Sequence, residues 1–87
     1  MANHKSAEKR ARQSEKRRMR NASARSRVKT AIKATLTSVE EKDVEKSREV
    51  LLDTTKIIAK ASAKGIFHKK TAARKISRLT KRVNALG

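Results

Sequence analysis

The side chains with which this chain could do chemistry are few. His4 and His68 are its only imidazoles, they lie 64 residues apart in the sequence, and there is no cysteine. A structural zinc site needs several such ligands clustered at short spacings. Both histidines therefore read as surface or loop residues, with contact to a phosphate as their nearest function. Glu40, Glu41, Asp43, Glu45, Glu49 and Asp53 form the one acidic cluster. They lack the loop spacing of a calcium hand, and a helix start explains Asp43 and Glu45 better, because carboxylates favour the positive helix end. No Ser/His/Asp triad, glycine-rich phosphate loop or HExxH pattern occurs. The expectation is no enzyme, no metal, no cofactor and no small-molecule substrate.

What remains is charge. Lys and Arg number 25 against 8 Asp and Glu, a formal charge of +17 on 87 residues. A compact chain so charged repels itself, which points to a polyanionic partner. Residues 1–35 carry a net +10, residues 36–55 a net −3 and residues 56–87 a net +10. Two basic segments thus flank an acidic middle.

The elements that position these charges are helices. Proline is absent, glycine occurs only at Gly65 and Gly87, and Ala, Lys, Arg and Glu dominate. One long helix over about residues 6–40 and two shorter ones, about 43–64 and 69–86, are expected. Ser6 with Glu8 behind it fits a helix start, as does Asp43 with Glu45. Gly65 fits the position just past a helix end, with Ile66 folding back over Ala61. A third helix begins between His68 and Thr71.

The helix faces predict the packing. Ala72, Ile76, Leu79, Val83 and Leu86 make an apolar stripe, backed by Lys70, Arg74, Arg78 and Lys81. Val44, Val50, Leu51, Leu52, Ile57 and Ile58 promise a broad buried face on the second helix. On the first, Val28, Ile32, Leu36 and Val39 share one face. Followed backwards, that face passes Arg25, Asn21, Arg17, Ser14 and Arg10. The core should therefore end near residue 25. The fold class expected is all-α: an antiparallel three-helix bundle (residues 26–87) whose long N-terminal helix projects as a basic arm (residues 1–25), together one domain. Twenty helical residues span about 30 Å. Helicity there should be marginal without a partner, since helices in proteins rest mainly on packing.

Three polyanions compete for such an arm. A membrane-surface helix needs a bulky apolar face, and this one offers alanines and Met19. No apolar run approaches a membrane span, and the charged N-terminus resembles mature protein rather than a secretory signal, so a reducing, cytosol-like compartment fits. That also weakens an excreted cationic toxin. A leucine-zipper DNA reader needs sustained heptads, which dissolve after Val39. Structured RNA fits best. Phe67 is the sole aromatic residue, so single-strand stacking platforms are absent and recognition must run through phosphates and 2′-hydroxyls. A DNA-compacting nucleoid protein is the alternative.

The stretches MANHKSAEKRARQSEKRRMRNASARSRVKT and AKGIFHKKTAARKISRLTKRVNAL closely resemble the bacterial small-subunit ribosomal protein twenty family. That resemblance implies a non-catalytic, ribosomal, cytoplasmic protein, monomeric within the ribosome beside other ribosomal components. It also implies direct binding to small-subunit ribosomal RNA, bridging the 5′ domain and the long penultimate stem. The positions it carries over are Lys5, Ser6, Lys9, Arg10, Arg17, Arg18, Asn21 and Arg25, then Lys64, Gly65, His68, Lys69, Arg74 and Arg78. Charge and position add Arg12, Lys16, Arg20, Lys70 and Lys81 as expected RNA contacts. Glu8 and Lys70 depart from the usual pattern, which has a basic residue and an asparagine there.

Overall fold

In the computed structural model, residues 3–87 are described, with side chains from Lys5 onward; the reading of His4 lies outside the described side chains. The helices are α1 (Asn3–Glu40), α2 (Val44–Ala63) and α3 (Lys69–Asn84). The helix-rich reading and its three segments are met. One start moves: α1 is already helical at Asn3, so Ser6 lies inside the helix instead of capping it. Asn3, His4 and Lys5 already belong to the helix ahead of it.

Both turns use one device. Lys42 adopts a left-handed φ of 58°. Its N–H donates to Val39 O at 3.0 Å and that of Asp43 to Ser38 O at 3.4 Å, the paired bonds of a Schellman ending. Asp43 then caps α2, its carboxylate accepting from Lys46 N at 3.2 Å. At the far end Gly65 takes φ 80°. Its N–H donates to Ser62 O and that of Ile66 to Ala61 O, both at 3.0 Å. His68 then caps α3: ring Nδ1 accepts from Lys70 N at 3.1 Å. In the neutral ring this places the proton on Nε2.

Short turns force antiparallel neighbours. Thr35 of α1 faces Thr54 of α2, and Gly87 beyond α3 lies against Val44 at the start of α2. Val28, Ile58, Ala61, Ala72 and Leu79 form the core cluster, with Ile32, Leu36, Leu51, Ile57, Ile66, Phe67 and Ile76 packed around it.

The α1–α2 seam differs from expectation. Thr35, Ser38, Ser47 and Thr54 are buried there, whereas Leu52 is 58% exposed. The inward stripe of α2 runs through the buried Ser47, Thr54, Ile58 and Ala61 with the half-buried Leu51, and Leu52 stands about 100° round the helix from Leu51. Hydroxyls are tolerated because a helix supplies them with acceptors one turn back. Thr35 Oγ1 reaches Ala31 O and Ser38 Oγ reaches Ala34 O, both at 3.0 Å. Small side chains with satisfied hydroxyls let the two backbones approach without stranding polar groups. Ser47 Oγ is the exception, buried without a partner.

Every side chain from Lys5 to Arg20 is exposed; Asn21 and Ala24 are half-buried, and Val28 is the first buried residue. The molecule measures 66 × 22 × 14 Å with a radius of gyration of 17.6 Å. A compact chain of this length has about 12 Å. The excess is the N-terminal half of α1, which runs past the other helices.

Candidate nucleic-acid interface

Helical geometry distributes the charges of α1. At about 100° per residue, Lys9, Arg10, Arg12, Lys16, Arg17 and Arg18 point to all sides, with no apolar stripe to seat against protein. Lys5, Ser6, Lys9, Arg10, Arg12, Lys16, Arg17, Arg18 and Arg20 are all exposed. Arg18 alone among them holds a carboxylate: Nη2 lies 2.6 Å from Glu15 Oε1 and Nε 3.2 Å from Glu15 Oε2. Both side chains face water, so the pair contributes little and leaves the guanidinium available.

Where α1 meets the bundle, two depressions flank it. One is lined by Arg17, Arg20, Asn21, Arg27 and Lys64, with Gly65 and Ile66 of the α2–α3 turn. The Schellman ending explains this meeting, since it folds Ile66 back and carries Lys64 toward α1. The other is lined by Arg25, Lys29, Phe67 and Lys75. There Lys75 Nζ sits 5.5 Å from the centre of the half-buried Phe67 ring. A cation already covers that ring, which leaves little room for base stacking.

The third helix carries the remaining expected contacts. Lys69, Lys70, Arg74, Arg78 and Lys81 are exposed along it, and His68 is exposed at its start with Nδ1 engaged in the cap. The structure thus gathers Arg17, Arg20 and Asn21 around Lys64, and seats Arg25 beside Lys75. It leaves the exposed Lys5 to Lys16 outside both depressions, and likewise the exposed Arg74, Arg78 and Lys81 of α3. Arg27, Lys29, Lys60 and Lys75 also line depressions along α1, and the sequence did not single them out as RNA contacts. Lys60 and Lys64, one turn apart and just before Gly65, were the available signal.

These helices and surfaces define a class first: an all-helical, strongly cationic protein. Among the described residues it has no His, Asp or Glu cluster able to hold a metal and no helix long and apolar enough to cross a membrane. The match to known proteins is more specific, for the chain belongs to the ribosomal protein S20 family, which it matches over residues 2–84. The small ribosomal subunit protein bS20 of Syntrophus aciditrophicus is 61% identical over 85 residues, covering 98% of this chain and 96% of that protein. Its counterpart in Oleidesulfovibrio alaskensis is 54% identical, covering 99% of both. That of Geobacillus kaustophilus is 52% identical, covering 99% of this chain and 97% of its own. The family is structural and non-enzymatic.

Proposed function

We propose that the chain is a structural component of the small ribosomal subunit in the cytoplasm, binding small-subunit ribosomal RNA directly as a monomer. The observation that carries this is the exposed first half of α1, helical and cationic around its circumference, joined without a break to a helix that enters the core at Val28. Residues 1–25 act as an arm and residues 26–87 as the body that anchors it. A rod of one helix enters gaps between RNA helices that a globular body cannot reach. Its cations neutralise phosphates that would otherwise keep two RNA elements apart, so the 5′ domain packs against the long penultimate stem. The arm contributes Lys5 to Arg25, and α3 contributes His68 to Lys81 by phosphate and shape contacts.

A DNA-compacting role would use the same charges. Competition separates the two: folded small-subunit ribosomal RNA displaces the protein from duplex DNA at equal phosphate concentration and moderate salt. Equal displacement by the two polymers would favour the DNA reading.

A further inference from the structure

The face of α1 and α2 turned away from α3 bears a run of four adjoining depressions. Thr30 and Ala34 line the first and the second. Ile57 links the second to the third. Arg27 lines the second, third and fourth, and the fourth ends at Arg17 and Arg20 on α1. Together they form one shallow track along the α1–α2 seam, continuous with the basic half of α1.

The track has a polarity. Its end near the α2–α3 turn gathers Arg17, Arg20, Arg27, Lys60 and Lys64, all exposed, and none in an ion pair among the described residues. No carboxylate lines any of the four depressions. At the opposite end only Lys33 and Lys46 line the first depression, and Lys46 has the Glu41 carboxylate 3.5 Å away, so the cations are fewer there. Between them the floor is Ser23, Ala31 and Ala34, small enough for a backbone to approach closely. The hydroxyl of Thr30 donates to Ser26 O and that of Thr37 to Lys33 O, so their oxygens keep lone pairs free to accept from ribose hydroxyls. Arg17 to Arg27 is ten residues, about 15 Å of helix, a length that accommodates successive phosphates of one strand.

We infer that this α1–α2 track is a second RNA-binding surface, seating the sugar–phosphate backbone of one strand, with Arg27, Lys60 and Lys64 on its phosphates and Thr30 and Thr37 beside its riboses. It lies away from the basic face of α3, so arm, track and α3 together would present cations to RNA on separate sides. The inference rests on the reading of the chain as an RNA binder. A protein helix is a weaker occupant, because the concentrated unpaired charge would need several carboxylates to match it.

The test is a salt series of equilibrium binding to small-subunit ribosomal RNA, using the full chain and three variants. The track variant is Arg27→Gln/Lys60→Gln/Lys64→Gln. The control, Lys42→Gln/Arg48→Gln/Lys56→Gln, removes equal charge elsewhere, and the arm variant is Lys9→Gln/Arg10→Gln/Arg12→Gln. Thermal unfolding followed by circular dichroism checks that each variant folds. The track variant should lower the slope of log K against log salt by about two to three, about one for each phosphate no longer neutralised, while the control stays close to the parent. A track variant that matches the control overturns the inference, even where the arm variant is impaired and the RNA reading stands. Matching RNA slopes with poorer incorporation into reconstituted subunits would overturn it too, assigning the track to a protein neighbour. A parent chain with no salt-dependent RNA binding would instead remove the functional reading itself.

Discussion

Thr35 Oγ1 and Thr54 Oγ1 lie 2.9 Å apart across the buried α1–α2 seam, and both also reach Ala31 O, at 3.0 and 3.1 Å. Two hydroxyl protons serve three contacts, so whichever proton bridges the threonines leaves the other to bind the carbonyl. Neither residue is more than 1% exposed. Thr54→Val keeps the shape and removes the cross-helix donor, while Thr35 can still donate to Ala31. The expected loss is about 1 kcal/mol by chemical denaturation. Thr54→Ala adds a cavity and should cost more.

The two Schellman endings carry opposite residues at the left-handed position, lysine at Lys42 and glycine at Gly65. A side chain there is strained by roughly 1–2 kcal/mol. Lys42→Gly should therefore stabilise the fold by about 0.5–1 kcal/mol, after glycine's greater freedom in the unfolded chain is deducted. Gly65→Ala should destabilise it by about 1 kcal/mol, through backbone strain alone, since an added Cβ would meet nothing within 4 Å. Urea midpoints of the two variants should move in opposite directions.

His68→Ala removes the acceptor at the start of α3 and should cost about 1 kcal/mol in thermal unfolding, the usual worth of a helix cap. His68→Asn keeps an acceptor there and should recover most of the loss. Equal instability of both variants would mean that the ring serves packing instead of the cap.

Leu79→Ala truncates a side chain that is 5% exposed at the centre of the core, and should cost about 2–5 kcal/mol. Leu52→Ser, on a face open to water, should change stability by no more than about 0.5 kcal/mol. Denaturation of the pair reads directly which of the two leucines packs.

Much of this fold is legible in the residues. The absence of proline, the turn chemistry of Asp43 and Gly65, and the 4–3–4 stripe of α3 from Ala72 to Val83 give three helices and their order. The border between water and core follows from one face of α1, where Arg25 gives way to Val28. Apolar spacing did not reveal the hydroxyl seam, because Thr35, Ser38, Ser47 and Thr54 look like surface residues until two helices come close enough to need them. Leu52 misled for the converse reason, since hydrophobicity alone does not say which of two adjacent leucines faces inward. The meeting of Arg27, Lys60 and Lys64 depends on how α2 ends against α1, a relation between elements that no single helix pattern contains. His68 read as a surface residue and is one, yet its ring nitrogen also closes a helix.

The first half of α1 makes a separate prediction about order. With no packing partner before Asn21, its amide protons should exchange rapidly in the free protein and slow markedly when small-subunit ribosomal RNA is added. Protection in the free protein equal to that of α2 would show that the arm holds its helix unaided.

The central claim is that this exposed basic half of α1 grips RNA through phosphates, and one measurement meets it directly. Lys9→Gln/Arg10→Gln/Arg12→Gln/Lys16→Gln changes only side chains that touch no other element. In equilibrium binding to small-subunit ribosomal RNA across a salt series, it should weaken affinity and lower the salt slope by about one for each phosphate that loses its cation. Its unfolding midpoint should stay at that of the parent. Unchanged affinity and slope in this variant would contradict the account.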